Sequence, residues 1–179
     1  MKWLKFWSGR ETQKGFTVIE VITALAITGM IGAGATMATV QTLNEGARNN
    51  DYTTASRQAQ NAIQWISRDA QMAQIVELNG ASGFPVTLLW TEWDNSSHNA
   101  TYSITDHNLR RSYSIDSGEP VETMVAQYIS SASENTSFEV EVTTENVTMA
   151  TVKVTATVGA GPQAVSITRE REIIPRPGL

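Results

Sequence analysis

The sequence predicts an α+β protein, with one long N-terminal helix packed on an antiparallel β-sheet head. Three observations predict it. No proline interrupts residues 16–79, and apolar residues recur in the later part of that stretch at spacings of three and four, as in a helix with one buried stripe. Beyond Phe84 the chain becomes a series of short runs rich in Val, Thr, Tyr and Ile, several alternating with period two. Turn-forming residues separate neighbouring runs closely enough for antiparallel pairing.

A chain of 179 residues has room for one modest core. Composition divides it into a basic leader (1–15), an apolar helix (16–43), an amphipathic continuation (44–79) and a β-rich head (80–179). The leader holds Lys2, Lys5, Arg10 and Lys14 against Glu11, a net of +3. That leaves 9 of the 13 basic and 17 of the 18 acidic residues in the rest of the chain, a net of −8. An acidic body argues against binding through phosphate contacts, so nucleic acid is not an expected partner. With no cysteine, neither a disulfide framework nor a thiolate metal site is available.

Val21 to Val40 contains no charged residue and is long enough to cross a hydrocarbon core of about 30 Å. The basic leader before it places residues 1–15 in the cytoplasm and the head outside, as a single-pass protein. Two other accounts of this segment exist. A secretory signal would use Ala33-Gly34-Ala35 as its small-x-small cleavage site, and a plain anchor would stay uncut. Glu20 opposes both, because an acid inside a spanning helix costs a few kcal/mol and marks function. The run is also too long for a signal-peptide core.

Lys14-Gly15-Phe16-Thr17-Val18-Ile19-Glu20, between basic leader and apolar run, resembles the N-terminal signature of type IV prepilins and type II secretion pseudopilins. The resemblance implies cleavage after Gly15 by a prepilin peptidase, with Lys14 as the basic residue before the cut. Phe16 would become the N-methylated terminus, and Glu20, fifth in the cleaved chain, would direct filament assembly. It also implies a type IV pilin-like fold and a place in the inner membrane, then in an extracytoplasmic filament. The partners would be other pilin or pseudopilin subunits and an inner-membrane assembly platform with its ATPase. No enzyme activity, cofactor or metal is implied. The freed amine has a reference pKa of about 7.7–8.0 and is largely cationic at neutral pH. A carboxylate among apolar helices is tolerable only when paired, so Glu20 meeting a neighbour's amine would fix the axial register. Gly29, Gly32 and Gly34 then have two accounts, close helix packing through small residues or a segment that loosens on leaving the bilayer.

The helical pattern continues past Gln41. Tyr52, Ala55, Ala59, Ala62, Ile66, Ala70 and Ala73 form a stripe, Ile63 and Met72 widen it, and Val76 extends it to a stop at Asn79-Gly80. Such a helix of about 60 residues would be roughly 90 Å long. Gly46 and Asn49-Asn50-Asp51 are candidates for a bend.

Strands are expected at residues 85–93, 100–105, 109–115, 138–144, 147–158 and 164–168, with hairpin turns at Asp106-His107-Asn108 and Glu145-Asn146. Residues 122–131 are expected to form a short helix. The order of Arg68-Asp69, the Tyr102–Arg111 run, the apolar stretch 124–129 and Phe138 is similar to J-type minor pseudopilins and W-type minor pilins. That similarity implies a minor subunit. The alternative is a minor pilin whose head binds DNA, a surface or secreted cargo, with Arg110-Arg111 as the only basic pair offered to DNA.

The sequence carries no catalytic or metal constellation. His98 and His107 lie in polar sequence beside Asn and Asp and are expected in exposed loops. Glu139 and Glu141 alternate with valines, so they mark a solvent face and not converging calcium ligands. Sequons at Asn95, Asn99, Asn135 and Asn146 mark polar, exposed loops. Trp90 and Trp93 stand on opposite sides of a strand-like run, one expected in the core and one as an interface residue. Arg169-Glu170-Arg171-Glu172 is expected to form a solvated terminal strand.

Overall fold

The computed structural model describes residues 15–116, 118–143 and 146–176. One helix, α1 (Val18–Met72), precedes eight strands among the described residues. They are β1 (Ile75–Leu78), β2 (Val86–Thr91), β3 (Ser97–Thr105), β4 (Asn108–Ile115), β5 (Val121–Ala126), β6 (Ser137–Thr143), β7 (Asn146–Val158) and β8 (Val165–Ile173). They form a five-stranded sheet, ordered β1-β2-β3-β4-β5, and a three-stranded sheet, ordered β6-β7-β8. Every neighbouring pair is antiparallel. The fold is the expected α+β arrangement of a long helix packed on an antiparallel head.

The chain divides into two compact units between Glu45 and Gly46. In the first unit the helix is exposed on every side from Val18 onward. Its threonines are satisfied within the helix. The hydroxyls of Thr23, Thr28, Thr36, Thr39 and Thr42 each donate to the carbonyl four residues back, at 2.7–2.9 Å. A helix carrying such internally bonded hydroxyls can enter an apolar medium without unpaired donors. A Cβ on Gly29, Gly32 or Gly34 would meet nothing within 4 Å, so the subunit's own packing does not require these glycines.

In the second unit the rest of α1 lies on the sheets. Ala55, Ala59, Ala62, Ile66, Ala70 and Ala73 are fully buried and Ile63 nearly so, as the stripe predicted. Tyr52 is 51% exposed, so the buried stripe begins at Ala55. The alanines bring the helix backbone close to the strands, where larger side chains such as Leu88, Tyr102 and Phe138 fill the core. Phe84 meets Phe138 edge to face at 6.4 Å. Beside them Gly83 (φ +79°) passes so close to β6 that a Cβ would collide with the Phe138 carbonyl.

Several expected boundaries move. The helix ends at Met72 and not at Asn79. The Gln74 N–H donates to the Leu89 carbonyl at 2.8 Å, and Ile75–Leu78 then pairs with β2. Sheet pairing thus captures a β-branched Ile-Val pair that also fits the helical period. The helix expected at 122–131 is absent. Val121–Ala126 is instead a strand paired with β4, with Val125 the extra residue at a register shift between Met124 and Ala126. The third strand begins at Ser97, which draws in His98 and Asn99. The run expected at 164–168 and the terminal strand expected at Arg169–Glu172 are one strand, Val165–Ile173, paired along its length with β7. The Asp106-His107 turn is a two-residue hairpin, both residues having positive φ (50° and 61°), as a type I′ turn requires. Of the other expected hairpin turn, Glu145 lies outside the described residues and Asn146 already belongs to β7, where it pairs with Thr143.

Candidate functional site

Gly15, Phe16 and Thr17 of the N-terminal signature precede the helix. Thr17 caps it. The Glu20 N–H donates to Thr17 Oγ1 at 3.3 Å, while the Thr17 N–H donates to Glu20 Oε2 at 3.4 Å. This reciprocal pair is a capping box, satisfying two of the donors that every helix start leaves free. Glu20 therefore holds its carboxylate against its own N-terminus, one residue from the Phe16 nitrogen. The negative group also sits favourably at the positive end of the helix dipole. Phe16 is 82% exposed, and every large apolar side chain from Val18 to Leu43 is exposed as well. This helix is long and apolar enough to cross a membrane, and its apolar part is not buried within the subunit. Lys14 and the rest of the leader lie outside the described residues.

The head contains a charged network that the sequence pattern does not single out. Asp69, on the buried face of α1, accepts from Tyr102 Oη and from Arg111 Nε, both at 2.6 Å on the same oxygen. Register explains the meeting, since Val86, Tyr102 and Arg111 lie side by side on β2, β3 and β4. The Arg111 guanidinium also stands over the Tyr113 ring at 4.1 Å and the Trp65 ring at 5.5 Å. Burial lowers the Arg111 proton affinity, but the Asp69 hydrogen bond and charge outweigh it and hold the pKa above the ordinary arginine value. Burial, followed by the Asp69 charge, pushes the Tyr102 phenol far above its ordinary range. This arrangement is a buried charge pair that joins helix to sheet.

Next to it Trp90, His98 and Tyr113 stack, with the Trp90 and His98 rings nearly parallel and their centroids 5.2 Å apart. His98 is therefore no loop residue. It is buried, with Nδ1 against Tyr113 Oη at 2.5 Å and Nε2 against Ser96 Oγ at 3.0 Å. His107 is exposed in its hairpin turn, as expected. Trp90 faces inward at 6% exposure, which removes it as an interface residue. Trp93 is 93% exposed and lies in the turn beyond β2, not on the opposite face of the strand. Of the sequon residues, Asn95 is exposed in a turn with positive φ, whereas Asn99 is half-buried within β3. Glu139 and Glu141 are exposed on β6, and Arg169–Glu172 is exposed on β8. Arg110 and Arg111 alternate to opposite faces, the first beside Glu122 at 3.5 Å and the second on Asp69, so they do not form a basic groove.

Asp69 had a signal. It falls on the stripe, three residues after Ile66 and four before Ala73, so an acid was due on the buried face. Its partners come from strands and are invisible to any local pattern.

Residues 10–36 match the family described as the prokaryotic N-terminal methylation motif. The match spans Gly15, Phe16 and Glu20 and supports a type IV pilin-like precursor. It points to a structural subunit rather than an enzyme, and to processing by prepilin peptidase and assembly with other pilins. No curated protein and no solved structure matches the chain. Motif and exposed apolar helix together fit a membrane-anchored, single-pass protein.

Proposed function

We propose that this chain is a minor structural subunit of a type IV pilus or a type II secretion pseudopilus. It enters the inner membrane with residues 1–15 in the cytoplasm and the head outside. A prepilin peptidase cuts after Gly15, with Lys14 before the cut, and Phe16 is N-methylated. The observation that carries this proposal is an apolar helix, exposed on every side, that starts at Val18 beside the motif and has one acid, Glu20, in its first turn.

Glu20 supplies the assembly step. In the free subunit its carboxylate rests on the Thr17 N–H through a long bond that a better partner can replace. The methylated ammonium of a neighbouring Phe16 is such a partner, because it brings a full opposite charge to the carboxylate where the Thr17 N–H brings only a backbone dipole. Only one axial offset pairs both charges, so the exchange sets register. A platform and ATPase outside this chain drive insertion. Glu20→Ala should be cleaved normally yet fail to enter filaments, measured by immunoblotting sheared filaments beside whole cells. Equal incorporation would remove the role assigned to Glu20.

Trp93 favours a second reading, a head that binds a surface or secreted cargo, because an indole 93% exposed on a turn is an unusual surface feature. Trp93→Ala would then leave filament assembly intact and lower adhesion or secretion. Unchanged adhesion and secretion would dismiss it.

A further inference from the structure

The two sheets have four outer strands, and they are unequally protected. Strands β1 and β6 border one cavity of about 380 Å³, with Leu78 on one side and Phe138 and Val140 on the other. The loop residue Ser82 already accepts the Phe138 N–H. β1 is an edge of only 4 residues, too short to template much pairing, so the longer free edges are those of β8 and β5. On β8 the four consecutive charges Arg169, Glu170, Arg171 and Glu172 are all exposed, a common device against unwanted strand pairing.

On β5 that device is missing. Val121, Glu122, Thr123 and Met124 are all exposed, Val121 by 64% and Met124 by 50%. The one charge, Glu122, is matched by Arg110 on the adjacent strand. Among the described residues, the backbone of 121–124 pairs with β4 and has no bond on its outer side. The run ends at the register shift opposite Leu109 and Arg110, beyond which Val125 and Ala126 are buried.

We propose that the outer edge of Val121–Met124 receives an extended strand from a neighbouring polypeptide subunit, which becomes a sixth strand of the larger sheet. A row of alternating N–H and C=O groups is met in full only by another peptide backbone. The side chains narrow the fit. Val121 and Thr123 lie on the face shared with Tyr113 and Arg111, and Glu122 and Met124 on the face shared with Ser112 and Arg110. The incoming strand is free of proline along this run and sets apolar or β-branched residues beside Val121 and Met124. This docking edge rests on the filament function proposed above, which supplies the neighbour.

Hydrogen–deuterium exchange on the full chain tests it, comparing subunits dispersed in detergent with subunits in filaments. The amides of residues 121–124 should slow by about tenfold or more on incorporation, while those of 168–172 stay unchanged. The paired substitutions Val121→Lys and Met124→Lys, both at exposed positions, should abolish that slowing with the head still folded by circular dichroism. Thr168→Lys on β8 should change nothing. Filaments that contain the chain while its β5 exchange is unaltered would overturn the docking edge and leave the filament function standing. A chain that never enters filaments would overturn both. Concentration-dependent slowing in detergent would mean two copies pairing through β5, and would overturn the assignment to a filament neighbour.

Discussion

From Phe16 to Leu43 every large apolar side chain is exposed, whereas from Ala55 onward the apolar stripe of the same helix is buried under strands. The two stretches have the same helical backbone and opposite surroundings. Residues 46–176 contain their own core, closed by the paired charges of Asp69 and Arg111. Residues 16–45 have no core, and their stability in water would rest on helix propensity alone, which is marginal. A helix with apolar residues on all sides is made for lipid or for other helices. The head thus folds through its own contacts, and the N-terminal segment depends on what surrounds it.

Substitutions can break this contrast. The largest effect is expected from Asp69→Ala, which leaves Arg111 buried without its partner and should destabilise the head by about 3–5 kcal/mol. Membrane insertion and cleavage should proceed as before, because they use the other unit. Head stability is read by thermal melting and cleavage by the mass of the product. Ile66→Ala comes next, with a loss of about 3 kcal/mol from a fully buried position, again in the melting curve.

Tyr102→Phe should cost about 1–2 kcal/mol near neutral pH, through one lost hydrogen bond to a charged group. It should also change the alkaline limit. The phenol is held neutral in the folded head well above its ordinary value of 10.0, by burial first and the Asp69 charge second. Its stabilisation is therefore fully present below about pH 10 and is lost as pH rises from there towards the folded pKa. Burial raises Tyr113 in the same direction. A pH series of melting curves should fall above pH 10 for the native chain and less steeply for Tyr102→Phe. The smallest effect is expected from Leu25→Ala, 66% exposed in the subunit, which should move head stability by less than about 0.5 kcal/mol.

The N-terminal half was legible in the sequence because its signals are local. A charge-free run, a single acid and a Gly-Phe pair need no tertiary partner to be read. The buried helix stripe was legible for the same reason, since Ala55 to Ala73 repeat with the helical period. What escaped depends on long-range pairing. Ile75–Leu78 fits the helical stripe as well as a strand, and only β2 decides between them. Val121–Ala126 reads locally as an apolar turn of helix until β4 supplies its ladder. His98 sits among Asn, Ser and Asp, a loop-like setting, yet the register puts its ring against both Trp90 and Tyr113. Asp69 has the spacing of the buried stripe, but the Arg111 that pairs with it lies 42 positions away on a strand.

The central claim is that Gly15–Phe16 is a processing site and that the helix behind it is built for assembly. The most direct test is mass spectrometry of the N-terminal peptide from protein isolated from its native cells. The expected first residue is Phe16, carrying one added methyl group. An intact Met1 terminus, or a start near Thr36, would contradict it.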